Sequence, residues 1–223
     1  MNSLINGAAA VTKVYRLSPD YKLYNDNYDE DGVYQGNKGS TPSSIIELSQ
    51  LERLQHLKIP DTLDFNTKNP KRLKLVNIAR VDLVSNVLSE ELIDTIGSVG
   101  EVEWTLVPAR FFDESTGEEV CISRFFGVFF HHYQDYFDYD QSDYDPRDWS
   151  SFPEDKVTDR MRKLVLNTRK SVLREPTQGF APCFKLLASP TSGLLVSEKA
   201  QNAIVQADLK GLQIKKLKSI ITV

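Results

Sequence analysis

Two distant stretches of this chain follow one local pattern. Leu83-Val-Ser-Asn-Val-Leu-Ser-Glu-Glu-Leu-Ile-Asp-Thr-Ile-Gly97 and Leu194-Leu-Val-Ser-Glu-Lys-Ala-Gln-Asn-Ala-Ile-Val-Gln-Ala-Asp-Leu-Lys-Gly211 each join an apolar approach to a Ser-Glu pair, a short helical run, a glycine and a β-prone segment. A serine there accepts a hydrogen bond from a free amide of the first helical turn. Acids suit the positive end of the helix, and glycine permits the turn that stops it. Ser89 and Ser197 are therefore expected to be N-caps, with Gly97 or Gly100 and Gly211 as stops. Strands leading into and out of short helices exclude an all-helical bundle, and two copies are too few for a solenoid. The expected class is α+β: a mixed, largely antiparallel sheet with a few short helices and two related strand–helix–strand units.

Between these units the chain reads as strands and turns. Leu73 to Ala79 is an apolar strand, Glu101 to Pro108 alternates as a half-exposed one, and Thr116-Gly117 turns between Ala109–Phe112 and a strand from Val120 to Phe130. Phe125, Phe126, Val128, Phe129 and Phe130 are nearly continuous, which predicts a central strand of a meander, covered on both faces. Upstream, Val11 to Leu17 alternates as an edge strand. Residues 20–40, rich in Gly, Asp and Tyr, are expected to form a mobile loop or arm. Ser44 with Glu47 forms a capping box for a helix carrying Ile45, Leu48, Leu51, Leu54 and Leu57 up to Pro60. The expected organisation is an N-terminal arm and helix over residues 1–72 and an α+β domain over 73–223.

The 223 residues, 40% of them hydrophobic, suffice for a sizeable buried core. No stretch approaches the ~20 apolar residues of a membrane span, and the N-terminus lacks both a basic n-region and a long apolar h-region. A soluble cytoplasmic protein without a membrane partner is expected. Cys121 and Cys183 both sit in apolar settings and are too few for a disulfide framework or zinc site, so both read as buried thiols.

The net charge of −4 conceals an asymmetry. Residues 1–155 carry 27 acids against 14 bases, a net −13, whereas residues 156–223 carry 4 acids against 13 bases, a net +9. Lys156, Arg160, Arg162, Lys163, Arg169, Lys170 and Arg174 are expected on the surface beside acidic neighbours from the first part. Nucleic-acid binding by this stretch would call for a recognised motif or interleaved aromatics that stack bases, and neither is present.

The densest acidic run lies between His131 and Trp149, where six aspartates accompany Tyr133, Tyr136, Phe137, Tyr139 and Tyr144 with Arg147 as the single arginine or lysine. Aspartate is a poor strand and helix former, while tyrosine gives large, stiff, amphipathic contact area, a combination suited to gripping a basic partner. Asp135, Tyr136, Asp138, Tyr139, Asp140, Asp143, Tyr144, Asp145 and Asp148 are the candidate partner-binding residues. Two alternatives compete with a fully partner-facing segment. In one, the tyrosines fold back onto the body of a solvated acidic loop. In the other, Asp135, Asp138 and Ser142 hold the turn, leaving Asp140, Asp143, Asp145 and Asp148 to face the partner.

Catalytic patterns are thin. His131 and His132 would point to opposite faces of a strand, and Cys121 lies about thirty ångströms from His131 along a straight one. A calcium loop beginning at Asp138 fails at its sixth position, Asp143, and its twelfth, Trp149. A metal-dependent hydrolase using the Asp-rich segment is the alternative reading, but clustered acids without a positioned lysine or histidine do not describe a two-metal site. No phosphate-binding glycine motif or nucleophile elbow is present. The residues point to no enzyme, no metal and no cofactor.

Over residues 73–223 the chain resembles the bacterial polymorphic-toxin immunity proteins typified by a myxobacterial immunity domain, formerly a domain of unknown function. The resemblance rests on Val84 to Ile96, on Asp135-Tyr-Phe-Asp138 with Ser142, and on Lys163-Leu-Val-Leu-Asn167. It extends to Phe184-Lys-Leu-Leu187 and to Leu195-Val-Ser-Glu198 through Leu209-Lys-Gly-Leu212. It implies a cytoplasmic protein that binds and neutralises, by stoichiometric occlusion, a cognate secreted toxin used in interbacterial competition. The partner would be a toxin domain with a basic surface or cleft. The family pattern supplies no catalytic residue.

Overall fold

The computed structural model describes residues 13–19, 33–35, 61–67, 70–73, 77–80, 86–120, 124–189, 193–217 and 219–222. These form an α+β structure of mainly antiparallel strands with short helices. The strands divide among three sheets where the sequence suggested one. A four-stranded sheet has the order β10 (Cys183–Phe184), β11 (Leu194–Ser197), β1 (Val14–Pro19), β12 (Leu212–Lys216). A six-stranded sheet has the order β2 (Val33–Gln35), β3 (Leu63–Thr67), β6 (Trp104–Asp113), β7 (Phe125–Phe130), β5 (Asn86–Ser89), β4 (Ile78–Arg80). The third is β13 (Ser219–Thr222), β9 (Val165–Arg174), β8 (Asp143–Pro146). Among the described strands, β13 with β9 and β3 with β6 pair in parallel and the other pairs are antiparallel.

Both Ser-Glu starts are N-caps. Ser89 Oγ accepts from Leu92 N at 3.2 Å at the head of α2 (Glu90–Gly97), and Ser197 Oγ accepts from Ala200 N at 3.3 Å at the head of α4 (Glu198–Gln206). The two stops differ. α2 ends on Gly97, whereas α4 turns through Asp208 at φ 51° before Gly211 opens β12, a left-handed conformation that aspartate tolerates better than most side chains. Asn77 ties the two units together: its Oδ1 accepts from Ser89 Oγ at 2.5 Å and its Nδ2 donates to Lys210 O at 2.9 Å.

Leu92, Ile93 and Ile96 of α2 pack with Ala200 and Ile204 of α4 in a core shared with Leu17, Leu194 and Val196 of one sheet and Ile78, Leu88 and Val128 of another. A second core gathers Leu63, Phe65, Val87, Val107, Phe111 and Phe125 against Leu73 of α1 (Pro70–Leu73). β7 thus contributes Val128 to one core and Phe125 to the other, the central position expected of the Phe-rich run. Gly127 interrupts that run because Leu63 occupies the space beside it; a Cβ there would lie 2.2 Å from Leu63 Cδ1.

Three expectations need correction. β1 is an inner strand, paired with β11 on one edge and β12 on the other, and its two faces serve separate cores through Leu17 and Val14. Residues 86–130 are not a meander: β7 pairs with both β5 and β6, since α2 carries the chain across the sheet between those two strands. Leu73 ends a short helix whose first position is Pro70, where proline's fixed φ fits, and the strand begins only at Ile78. The helix expected from Ser44 and the residue Cys121 lie outside the described residues. Of residues 20–40 only β2 is described, paired with β3. Residues 14–19 and 63–67 enter sheets whose other strands come from beyond residue 73, apart from β2. Among the described residues no helix is long and apolar enough to cross a membrane.

Ser89→Ala removes a cap and leaves Asn77 Oδ1 without its donor, whereas Ser197→Ala removes a cap. The expected losses of stability are about 2 and about 1 kcal/mol, read from urea unfolding midpoints at unchanged slope. Equal losses would show that the Asn77 bridge contributes nothing.

Candidate functional site

A third core lies on the far face of the four-stranded sheet. Val14, Phe184 and Leu195 of that sheet meet Leu173 of β9, and Phe137, with Tyr136, Tyr139 and Tyr144 packed around them, completes the cluster. The Asp/Tyr segment is therefore a roof. Its backbone is stitched to the body: Gln134 N donates to Lys185 O at 2.7 Å, Arg174 N to Tyr136 O at 2.7 Å, and Asp138 N to Val172 O at 2.9 Å. These bonds hold an irregular segment as firmly as a ladder would.

The tyrosines turn inward. Tyr136 packs edge-on against Phe180 and Phe184, each at 5.2 Å between centroids, and burial raises the pKa of its phenol. Tyr139 and Tyr144 meet Phe137 at 5.0 and 5.6 Å and each other at 5.8 Å, all edge-to-face, the geometry that ring quadrupoles favour. Tyr139 Oη donates to Lys163 O at 2.9 Å, and its pKa is raised, first by burial and then by the charge of Asp135. Each ring is half-buried, so an edge of every tyrosine stays at the surface.

Asp138 makes the turn. It is 2% exposed, and Arg174 grips its carboxylate through Nε at 2.9 Å and Nη2 at 3.0 Å. Oδ1 also accepts from the amides of Asp140 and Gln141, both at 3.1 Å, and Oδ2 from Gln141 Nε2 at 3.1 Å. This is the aspartate turn in which a short side chain replaces a backbone acceptor. Chiefly the Arg174 hydrogen bonds hold the Asp138 carboxyl down at about 2. Ser142 finishes the turn, its N donating to Asp138 O at 3.0 Å and its Oγ accepting from Val172 N at 3.0 Å.

The other acids face outward. Asp140 is the most exposed of the ion-paired aspartates in the turn, its side chain 89% exposed with Arg174 Nη2 at 3.3 Å. Asp143 and Asp145 flank Arg169 at 2.7 and 2.8 Å, and the hydrogen bond to Arg169 lowers the pKa of Asp143. Asp135 pairs with Lys163. Asp148 stands apart in the following loop, its carboxylate accepting from Ser150 N at 2.8 Å and Ser150 Oγ at 3.0 Å. Eight of the nine candidate residues thus converge between positions 135 and 145, and Asp148 does not join them. Sequence reading placed basic residues near these acids by charge alone; it did not identify Arg174, Arg169 and Lys163 as the partners, or Phe180 and Phe184 as the rings under Tyr136.

The arrangement is a rigid ledge with an apolar underside and an anionic top. Its carboxylates are taken up by guanidinium and ammonium groups, which compete with a divalent cation for the same lone pairs and set the ledge apart from a metal site. His131, exposed just after β7, holds Nε2 at 2.9 Å from Thr105 Oγ1. Cys183 is buried, and desolvation pushes its thiol up to about 12. Both settings are unlike those of a nucleophile pair. Compared with protein-family models and with curated proteins, the chain matches none.

Asp138 carries the acid sensitivity expected of this segment. Its folded pKa lies below the ordinary 3.8, so the stability it contributes is fully present above that value and is lost as pH falls towards about 2. Asp138→Asn is expected to lower the melting temperature at pH 7 by several degrees and to flatten the loss of stability between pH 4 and pH 2. Asp140→Asn should do neither. An acid limb unchanged in the Asp138 variant would assign it to other carboxylates.

Proposed function

We propose that this protein is an immunity protein that binds and neutralises a cognate secreted antibacterial toxin in the cytoplasm of the producing cell, by occupying the toxin stoichiometrically. The observation that carries the reading is the preformed ledge: exposed Asp140, Asp143 and Asp145 above a locked Phe137–Tyr139–Tyr144 cluster, turned by Asp138. A surface ordered before binding loses little conformational entropy when it binds, and half-buried tyrosines at its edge supply contact area without further ordering. The resemblance in Asp135-Tyr-Phe-Asp138 and Ser142 falls on the ledge itself, and Phe184 and Leu195 of the other resembling stretches lie in the core under it.

The ledge suits a toxin with a basic surface or cleft. Asp143 and Asp145 already share Arg169, so an incoming cation would compete with that arginine, whereas Asp140 is the readiest to receive one. Exposed charges of this kind act mainly on encounter rate and its salt dependence, and the buried aromatic edges act on lifetime.

The test is co-purification with the toxin domain encoded by the neighbouring gene, followed by a titration of protection. Protection should saturate at equimolar protein. Replacing Asp140, Asp143 and Asp145 together by Lys should slow association about tenfold and flatten its salt dependence. The melting temperature should change little, because these ion pairs are exposed. Asp140→Lys alone should show part of the same slowing. Multiple-turnover rescue by trace protein would overturn the proposal, and unchanged salt dependence in the triple variant would remove the ledge from the interface.

A further inference from the structure

The loop that follows the ledge brings arginines and aromatic rings together. Between β8 and β9 it forms an open groove of about 680 Å³ whose lining includes Arg147, Asp148, Trp149, Phe152, Glu154 and Arg162. Its aromatic wall is fixed. Trp149 Nε1 donates to Met161 O at 3.1 Å, Phe152 meets the indole edge-on at 5.3 Å, and the Arg147 guanidinium lies over the indole at 5.0 Å. Phe152 is 40% exposed, which leaves apolar ring surface open beside the indole. Arg162 ends a short helix, α3 (Asp159–Arg162), capped by Thr158.

The two arginines are the informative part. Lys163, Arg169 and Arg174 each hold an aspartate of the ledge, yet among the described residues neither Arg147 nor Arg162 has a carboxylate within ion-pair distance. Of the two acids in the lining, Asp148 commits its oxygens to Ser150, and among the described residues neither it nor Glu154 has a cation within ion-pair distance, so the ligand's acids would have to reach the two arginines past them. Two guanidinium groups without a carboxylate partner, one of them stacked on the indole, beside the exposed ring of Phe152 favour a ligand that is anionic and apolar at once. A long polyanion fits poorly, because the groove opens at Pro146 onto β8, where Asp143 and Asp145 would repel its continuation. A short acidic peptide segment with apolar side chains fits both features.

We infer that the groove between Pro146 and Arg162 is a second recognition site, for an acidic, apolar-rich segment of a protein. It stands independently of what the ledge binds. The carboxylates of such a segment would meet Arg147 and Arg162, and its apolar side chains would lie on Trp149 and Phe152.

The experiment uses the full chain and a short fluorescein-labelled peptide of alternating glutamate and leucine, with a lysine/leucine peptide and an oligothymidylate of equal length as comparators. The glutamate peptide should bind and shift the indole N–H resonance of Trp149, while that of Trp104 stays in place. Arg162→Glu, at an exposed position, should weaken binding about fivefold and Arg147→Glu with Arg162→Glu more than tenfold, as two exposed charge contacts would. Glu154→Gln should tighten it. Lys215→Glu, an equal change of charge on β12, should have no effect. Failure of the glutamate peptide to bind, equal binding by either comparator, or equal weakening by Lys215→Glu would each overturn the assignment.

Discussion

Every side chain of the strand Leu194–Ser197 is buried, so both of its faces need cover. The helices α2 and α4 and the six-stranded sheet cover the face that carries Leu194 and Val196. The face that carries Leu195 is covered by residues 136–144 and their neighbours. That requirement fixes the character of the acidic segment: its aromatic residues are drawn down onto Leu195 and Phe184, and its aspartates other than Asp138 are left on the outside. Burying apolar area at roughly 25 cal/mol per Å² is enough to decide which way an alternating Asp/Tyr chain faces.

Drawing the rings inward brings carboxylates close together, and the basic part of the chain offsets the repulsion. Arg174, Arg169 and Lys163 all come from β9 or the residue pair before it, and the strand runs alongside the segment whose acids they hold, hydrogen-bonded to it. Part of the charge asymmetry along the chain is thus met internally, beside the third sheet. Asp138 differs from its neighbours in being buried, with amide donors as well as Arg174 on its carboxylate, whereas the acids of the Asp140, Asp143 and Asp145 pairs are open to solvent and screened. One aspartate shapes the turn and the others remain available.

Much of this was legible in the sequence where the signal is local. Ser89 and Ser197 announce their helices because a cap involves residues three apart, and Asp138 with Ser142 could be read as turn-holders for the same reason. The central place of Phe125–Phe130 follows from a run too apolar for any half-exposed strand. What failed was pairing at long range. Val14–Pro19 alternates like an edge strand, and nothing within it tells that Leu194–Ser197 lies on one side and Leu212–Lys216 on the other. Likewise Arg174 is 36 residues from Asp138, and charge patterning gives the sign of a partner without its identity. The stop of α4 was misplaced because Asp208 adopts the conformation for which glycine is the usual signal.

The functional reading needs the ledge to be formed before any partner arrives, with the tyrosines already seated and the acids already aligned. Hydrogen exchange in the unbound protein tests this most directly. The amides of Asp138, Ser142 and Arg174 are bonded to Val172, Asp138 and Tyr136 respectively, and each should exchange at least about a hundredfold more slowly than in an unstructured peptide. Exchange of these three amides at the unstructured rate would mean that the segment orders only on binding, and would contradict the account.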